Sequence, residues 1–172
     1  MKKFYIVLLL SLIPAVSFAH FPTGWIGTWE RDLIIHTQPG DRNQVLKMKL
    51  VIRESPQVDV LHWDIWYDDN NGGTWRNYNL VGNNPESGIY KMDELNSITL
   101  DMFYFNDIFY SMYSIGKAII TVEYALKDEK IFFEITAANN EGEKTGGLED
   151  IPEVTNYPVR TVQKATLTKI TN

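Results

Sequence analysis

The stretch VLKMKLVIR, residues 45–53, alternates apolar and basic side chains along most of its length. The apolar residues fall at every second position: Leu46, Met48, Leu50 and Ile52. The basic residues fall between them: Lys47, Lys49 and Arg53. Because successive side chains of a β-strand point to opposite faces of the sheet, this period of two predicts a strand with one buried face and one solvated face.

The same pattern returns along the chain, with turn residues between the alternating runs. The predicted strands cover 27–35, 45–53, 58–69, 74–81, 89–92, 97–105, 117–126, 130–137 and 158–170. About nine strands at this spacing are typical of a sandwich or a barrel. No long stretch has helical periodicity, and only PESGIYKMDEL, residues 85–95, is predicted to contain one turn of helix.

A meander of half-buried strands must cover its apolar face. Closing the sheet on itself does so and also removes the unpaired sheet edges. We therefore predict an all-β fold, a single up-and-down antiparallel β-barrel of about 8–10 strands, which is wide enough to hold a small ligand. The polar, glycine-rich and acidic segment 139–157 is predicted to be an irregular loop that is either mobile or functional.

The first nineteen residues have the pattern of a secretory signal peptide. Lys2 and Lys3 precede the apolar run 4–13, and Ser17 and Ala19 supply small residues at the two positions that a signal peptidase reads for cleavage after Ala19. The run is too short to span a bilayer comfortably, so the alternative of a membrane anchor is disfavoured. We predict a secreted or periplasmic protein whose single domain covers residues 20–172.

Composition excludes several classes of function. The mature chain has 14 basic and 22 acidic residues, because residues 1–19 remove two of the 16 basic residues. A formal charge of −8 without a basic cluster disfavours binding to nucleic acid or to an anionic membrane. With no cysteine and three histidines in the chain, we predict no structural zinc site, no other metal site and no cofactor.

The first predicted strand carries a short motif, Gly27-Thr28-Trp29, that resembles the Gly-x-Trp signature of the lipocalins and their calycin relatives. The closing stretch ATLTKI, residues 165–170, resembles the last strand of many such barrels. The resemblance implies that Trp29 closes one end of the barrel and that a basic side chain packs across its indole, as cations do over aromatic faces. Lys169 and Arg160 are both candidates for that cation.

Two other barrel families share the Gly-x-Trp opening. Aligning the tail on Ala165 and Leu167 places Val162 where nitrobindin-like barrels carry a haem-binding histidine. The Asn, Ser and Tyr residues of an avidin-like biotin site have no match here. The resemblance therefore implies a lipocalin-like barrel and leaves its subfamily undecided.

The chain is rich in aromatic residues, which either fill the core or line a ligand cavity. The predicted ligand-binding residues are Arg31, Trp63, Tyr67, Trp75, Tyr78, Met102, Tyr104, Phe109 and Tyr113. If Trp29 faces inward, period two places Arg31 inside as well, where its guanidinium can grip a carboxylate; a salt bridge at the rim is the alternative. Trp25 precedes the strand and is predicted to cap the barrel from outside.

Two sets of residues suggest chemistry beyond binding. His62 and Asp64 share one face of their strand, and with Arg76 they form either a polar anchor or a set of exposed strand residues; no nucleophile motif accompanies them. His20 becomes the N-terminus after cleavage and can chelate copper together with His36 or His62, unless its placement is accidental.

The preferred function is therefore an exported, non-catalytic barrel that binds a small apolar or amphiphilic molecule. Three alternatives stay open: a packed barrel that binds a partner through segment 139–157 or through outward aromatics, an enzyme, and a copper binder. The sequence does not predict the oligomeric state.

Overall fold

The computed structural model describes residues 21–22, 24–38, 42–68 and 72–170, and almost all of its secondary structure is β. The strands are β1 Gly27–Thr37, β2 Arg42–Glu54, β3 Val60–Tyr67, β4 Thr74–Asn84, β5 Ile89–Asp93, β6 Thr99–Phe105, β7 Ile108–Ile115, β8 Ala118–Lys127, β9 Lys130–Asn139, β10 Glu143–Thr145, β11 Val154–Asn156 and β12 Val159–Lys169. A single 3-10 turn, Pro85–Ser87, is the short helical element expected between β4 and β5.

Ten of these strands form a closed antiparallel barrel. Each strand from β1 to β9 pairs with its neighbours in sequence, and β12 fills the gap between β9 and β1. The other two strands, β10 and β11, form a small separate ribbon in the connection between β9 and β12. The predicted fold class, an up-and-down antiparallel barrel, is confirmed.

Residues 1–20 lie outside the described part of the chain. The signal peptide, its cleavage after Ala19 and the copper role of His20 therefore remain predictions. In the described segments, no helix is long and apolar enough to cross a lipid bilayer.

Strand β2 has the two faces that its alternation predicts. Met48, Leu50 and Ile52 are fully buried inside the barrel. The three basic residues point outward, where each meets an acidic residue: Lys47 meets Asp32, Lys49 meets Glu30, and Arg53 meets Asp64. Segregation of apolar and charged side chains therefore fixes which face of β2 lies inside.

Strand β7 is absent from the predicted set, and this omission is an error of the sequence analysis. It follows β6 through a two-residue turn at Asn106 and Asp107, both of which have positive φ. Asn and Asp tolerate this conformation and suit tight hairpin turns. The turn is easily overlooked because it has only two residues and lies inside a stretch rich in aromatic residues, 102–113. The prediction that segment 139–157 is wholly irregular is also wrong, since it contains the β10–β11 ribbon.

The barrel interior has two halves that differ in packing. The closed half, at the end where β1 begins and β12 ends, is filled by a cluster that we call the aromatic plug: Trp25, Trp29, Trp63, Tyr90, Phe109, Tyr124 and Phe133. Six of its rings form a network of contacts at centroid distances of 4.9–6.0 Å, including 5.1 Å between Trp25 and Phe109 and 4.9 Å between Tyr124 and Phe133. The open half, at the other end, has Leu, Ile, Val and Ser at several inward positions, with larger side chains such as Tyr67 and Arg76 toward the mouth, and it is not filled.

Trp25 is a member of the plug, which corrects the prediction that it caps the barrel from outside. It is 1% exposed and packs against Trp63 and Phe109. Its carbonyl oxygen accepts a 2.9 Å hydrogen bond from the indole Nε1 of Trp29. The segment before β1 therefore turns into the barrel and helps to seal it.

The closed end is completed by Gly27, Trp29 and Lys169. Trp29 is 1% exposed, and the ammonium group of Lys169 lies 5.1 Å from the centre of its ring. Gly27 leaves room for the Lys169 stem, since a Cβ at this position would lie 2.4 Å from Lys169 Cε. Of the two predicted cations, Lys169 is the one that packs on the indole; Arg160 lies near the opposite end of β12 and is exposed, so its predicted role is wrong.

Candidate functional site: a cavity in the open half of the barrel

A cavity of about 450 Å³ occupies the open half of the barrel. All ten barrel strands contribute lining side chains, and most of them are apolar. The volume lies within the range of small-molecule sites. The cavity begins above the aromatic plug and opens at the end of the barrel where β3 ends and β4 begins.

Strand geometry determines the depth of each lining residue. Along β3, the inward positions run from Trp63 in the plug to Ile65 in the wall and Tyr67 near the mouth. Along β7, Ser111 lies one inward position above the plug and Tyr113 one position farther out. Because inward positions recur at every second residue, successive inward side chains of one strand lie at increasing distance from the plug.

The mouth carries the charged and hydroxyl groups. Arg76 hydrogen-bonds the Tyr78 side chain, and this bond raises the pKa of the Arg76 guanidinium above its ordinary value, with smaller contributions from Tyr67 and Glu94. Burial raises the pKa of Tyr67 and that of Tyr113, and the nearby Glu94 raises the pKa of Tyr113 further. An arginine, a glutamate and three tyrosines therefore share one electrostatic environment at the entrance.

The floor also carries polar atoms, although its surroundings are apolar. Ser111 is 5% exposed, and its buried hydroxyl has no hydrogen-bond partner among the described residues. The indole Nε1 of Trp63 approaches the Tyr124 hydroxyl outside normal hydrogen-bond geometry. Burial raises the pKa of Tyr124 well above its ordinary value, so this side chain stays a neutral hydrogen-bonding group.

Five of the nine predicted ligand-binding residues line the cavity: Trp63, Tyr67, Tyr78, Met102 and Tyr113. The other four do not line it: Arg31, Trp75, Tyr104 and Phe109. Each of the four has a definite position elsewhere, and each position has a physical reason.

Arg31 is exposed, so the prediction that it faces the interior is wrong. The β1–β12 ladder pairs Glu30 with Thr168 and resumes at Leu33 with Ala165, and Arg31 lies in the interval. It lines a shallow depression on the outer surface together with Asp32 and other residues. A guanidinium buried in the apolar wall would lack a partner, and this local departure from the ladder avoids that cost.

Trp75 lies on the outer surface and is 52% exposed. Its ladder partner on β3 is Trp66, which also faces outward, with Lys49 5.8 Å from its ring and Gly73 packed beneath it. Both faces of β3 carry aromatic residues, and Trp66 is on the outer face while Trp63 faces in.

Tyr104 and Phe109 point inward but lie at the closed end. Their rings contact each other at 4.7 Å, and both contact Tyr90. The Tyr104 hydroxyl donates a 2.6 Å hydrogen bond to Asp107 in the adjacent turn. Period two indicates correctly that these side chains face inward, but it carries no information about which half of the barrel they occupy.

Several cavity residues are absent from the predicted set, and for one of them the sequence contains a pattern that places it in the cavity. Arg76 shares the parity of Tyr78 on β4, so the inward assignment of Tyr78 already implied an inward Arg76. Glu94 reaches the cavity from the position just after β5, and Gln163 reaches it from β12 near the end of the chain. The position of Glu94 depends on the register of the β4–β5 pair and that of Gln163 on the closure of the barrel, neither of which a single sequence reveals.

His62 and Asp64 lie on the outer face of β3. His62 Nδ1 is 2.9 Å from Asn79 Oδ1, and Asp64 is paired with Arg53. Arg76 points the other way, into the cavity, so the predicted polar anchor of His62, Asp64 and Arg76 is wrong. In the part of the chain that is described, no three His, Asp or Glu side chains form a group suited to a metal ion.

Comparison with known proteins adds no family assignment. No protein-family model matches this chain, and no curated protein sequence is significantly similar to it. The closed antiparallel barrel is compatible with a calycin-like fold, and the geometry of the cavity is the basis for a functional assignment.

Proposed function

We propose that this barrel binds a small amphiphilic molecule, with its apolar part in the cavity and its polar end at the mouth. One observation carries the proposal: a 450 Å³ cavity with largely apolar walls has its charged groups gathered at one end. A packed barrel would need no such space, and an aqueous channel would not be blocked by an aromatic plug.

Arg76 favours a guest with an acidic head group. Its guanidinium carries five N–H donors, more than the single bond to Tyr78 uses, and it can form paired hydrogen bonds with a carboxylate. Glu94 opposes this preference, because its negative charge lies in the same environment. Substituting Arg76 and substituting Glu94 should therefore change the affinity for an acidic guest in opposite directions.

The test measures binding of decanoic acid and decanol by titration calorimetry. Arg76→Met keeps much of the side-chain volume and removes the charge, so decanoic acid should bind about 10–100-fold more weakly while decanol is unaffected. Glu94→Gln should strengthen the binding of decanoic acid. Equal losses for both guests in Arg76→Met would contradict the assignment of the head-group site.

A second variant tests the cavity itself. Leu100 is half-buried and lines the cavity away from the plug. Leu100→Trp should fill the space, prevent binding of both guests and preserve the urea midpoint, because the new ring enters a void instead of a packed core. Retained binding in a folded Leu100→Trp protein would place the guest elsewhere.

We further propose that the chain is exported and released after cleavage at Ala19. Support comes from the signal-peptide pattern of residues 1–19. N-terminal sequencing of the protein recovered from outside the cytoplasm should begin at His20. Recovery of the protein with Met1 still present would contradict the proposal.

A second candidate function, binding a protein partner, is favoured by one surface observation. The outer face of β6 and β7 exposes Phe103, Phe105 and Met112, with the two phenylalanine rings 6.4 Å apart. Exposed apolar patches of this kind mark interaction surfaces. Light scattering should then show association that Phe105→Ser abolishes, and a monomer at high concentration would argue against self-association through this face.

A further inference from the structure

The floor of the cavity contains a buried hydroxyl that packing alone does not explain. Ser111 points into the barrel between the plug residue Phe109 and the mouth residue Tyr113, and its Oγ has no hydrogen-bond partner within the described segments. Buried polar side chains in native proteins are nearly always hydrogen-bonded. An alanine or valine would fill this position without leaving a polar atom unpaired.

The hydroxyl of Ser111 is one of three hydrogen-bonding groups at this depth. The Trp63 indole N–H and the Tyr124 hydroxyl belong to residues that line the same floor, and the Trp63 Nε1 likewise lacks a bond of normal geometry. Met102 and Val122 supply apolar surface around them. The cavity thus has polar groups at both ends and an apolar wall between.

We propose that the natural guest carries a second hydrogen-bonding group at its buried end, so that the barrel selects two-ended amphiphiles such as ω-hydroxy carboxylic acids over simple fatty acids. The inference rests on the proposed function, since it assumes that the acidic end lies at Arg76. Ser111 is then a specificity-determining residue that pairs with the inner hydroxyl. A serine hydroxyl moves between staggered χ1 positions, so it can turn toward a guest that enters the cavity.

The cavity depth sets the length of such a guest. Trp63 on the floor and Tyr67 near the mouth are four positions apart on β3, which corresponds to about 13 Å along the strand and roughly 10 Å along the axis of a tilted barrel. Decanoic acid and 10-hydroxydecanoic acid are suitable probes, because they have the same chain length and differ only in the terminal hydroxyl.

The experiment compares the two acids by titration calorimetry on the wild-type protein and on Ser111→Ala. We expect the wild-type protein to bind 10-hydroxydecanoic acid about tenfold more tightly than decanoic acid. A terminal hydroxyl that is buried without a partner would weaken binding, so this preference requires a hydrogen-bond partner on the floor. Ser111→Ala should reverse this preference and leave the affinity for decanoic acid equal or higher. Ser114→Ala, at an outward and exposed position of the same strand, is the matched control and should change neither affinity.

The outcomes separate this inference from the proposed function. If the wild-type protein binds decanoic acid through Arg76 but prefers it to the hydroxy acid, or if Ser111→Ala leaves the preference unchanged, the two-ended guest is refuted and the binding function stands. If neither acid binds, both proposals fail. Urea unfolding checks that Ser111→Ala is folded, and its stability should not fall because the variant removes an unpaired buried hydroxyl.

Discussion

The two halves of the barrel are built from the same strands with the same alternation, yet one is solid and the other is hollow. In the closed half the inward positions carry large rings, and Trp25 adds another from outside the strands. In the open half several inward positions carry Leu, Ile, Val or Ser, which do not reach the barrel axis. Side-chain size along the inner face, and not the backbone, decides whether a barrel of this width is a plug or a container.

The largest expected effect is in the closed half. Trp25→Ala should lower the free energy of unfolding by about 3–5 kcal/mol, because it removes a fully buried ring and leaves a cavity among the other rings of the plug. Urea denaturation measures the change. Trp75→Ala is the matched control, since Trp75 is half-exposed on the outer surface and its loss should cost far less. Equal effects would mean that the plug does not support the fold.

A smaller effect is expected where the closed end meets solvent. Gly27 has a φ of 147°, and a Cβ there would displace Lys169 from the Trp29 ring. Gly27→Ala should therefore cost about 1–3 kcal/mol, part of it from backbone strain and part from the lost cation–π contact.

A double-mutant cycle separates these two contributions. Lys169→Ala should destabilise the wild-type protein by about 0.5–1 kcal/mol and have less effect in the Gly27→Ala background. Arg160→Ala, at the other end of β12, should have little effect in either background. Strict additivity of Gly27→Ala and Lys169→Ala would show that the glycine acts only through its own backbone.

A further predicted difference appears only at alkaline pH, and it tests the boundary between the two halves. Tyr124 lies on the cavity floor, and its folded pKa is raised above the unfolded value of about 10 because the side chain is buried. Between these two pKa values the folded state binds more protons than the unfolded state, so stability falls as pH rises above about 10.

Urea unfolding between pH 8 and pH 11 measures this loss. Above pH 10, Tyr124→Phe should reduce the fall of the free energy of unfolding with pH by about 1.4 kcal/mol per pH unit. A wild-type midpoint that stays constant up to pH 11 would contradict burial of the tyrosines. Absorbance at 295 nm should show ionisation of the buried tyrosines together with unfolding.

The sequence predicts the barrel better than it predicts the site. The alternation in 45–53 gives the inward and outward faces of β2 correctly, because every inward position is apolar and all three charged side chains fall on the other face. It fails for β7, since the turn at Asn106 and Asp107 has only two residues and aromatic residues lie on both sides of it. It also fails for Arg31, which is exposed although it has the parity of the buried Trp29 and Leu33.

The position of a residue along the barrel axis is the information that a single sequence lacks. Phe109 and Tyr113 both point inward from β7, yet the first belongs to the plug and the second to the mouth. The meeting of Arg76 and Glu94 follows from the register of the β4–β5 pair, whereas Gln163 of β12 reaches the same cavity only because the barrel closes. Inward residues can therefore be predicted from pattern, whereas the set that forms a cavity cannot.

The pairing of β12 with β1 has a consequence for the order of folding. Trp29 and Lys169, which face each other in this ladder, are 140 positions apart, so closure is the most non-local contact in the barrel. Loops of this length are entropically costly to close, and topologies rich in such contacts fold slowly. Until β12 docks, β1 and β9 remain unpaired edges that invite pairing with other chains, so the final strand protects the protein from aggregation as well as completing its wall.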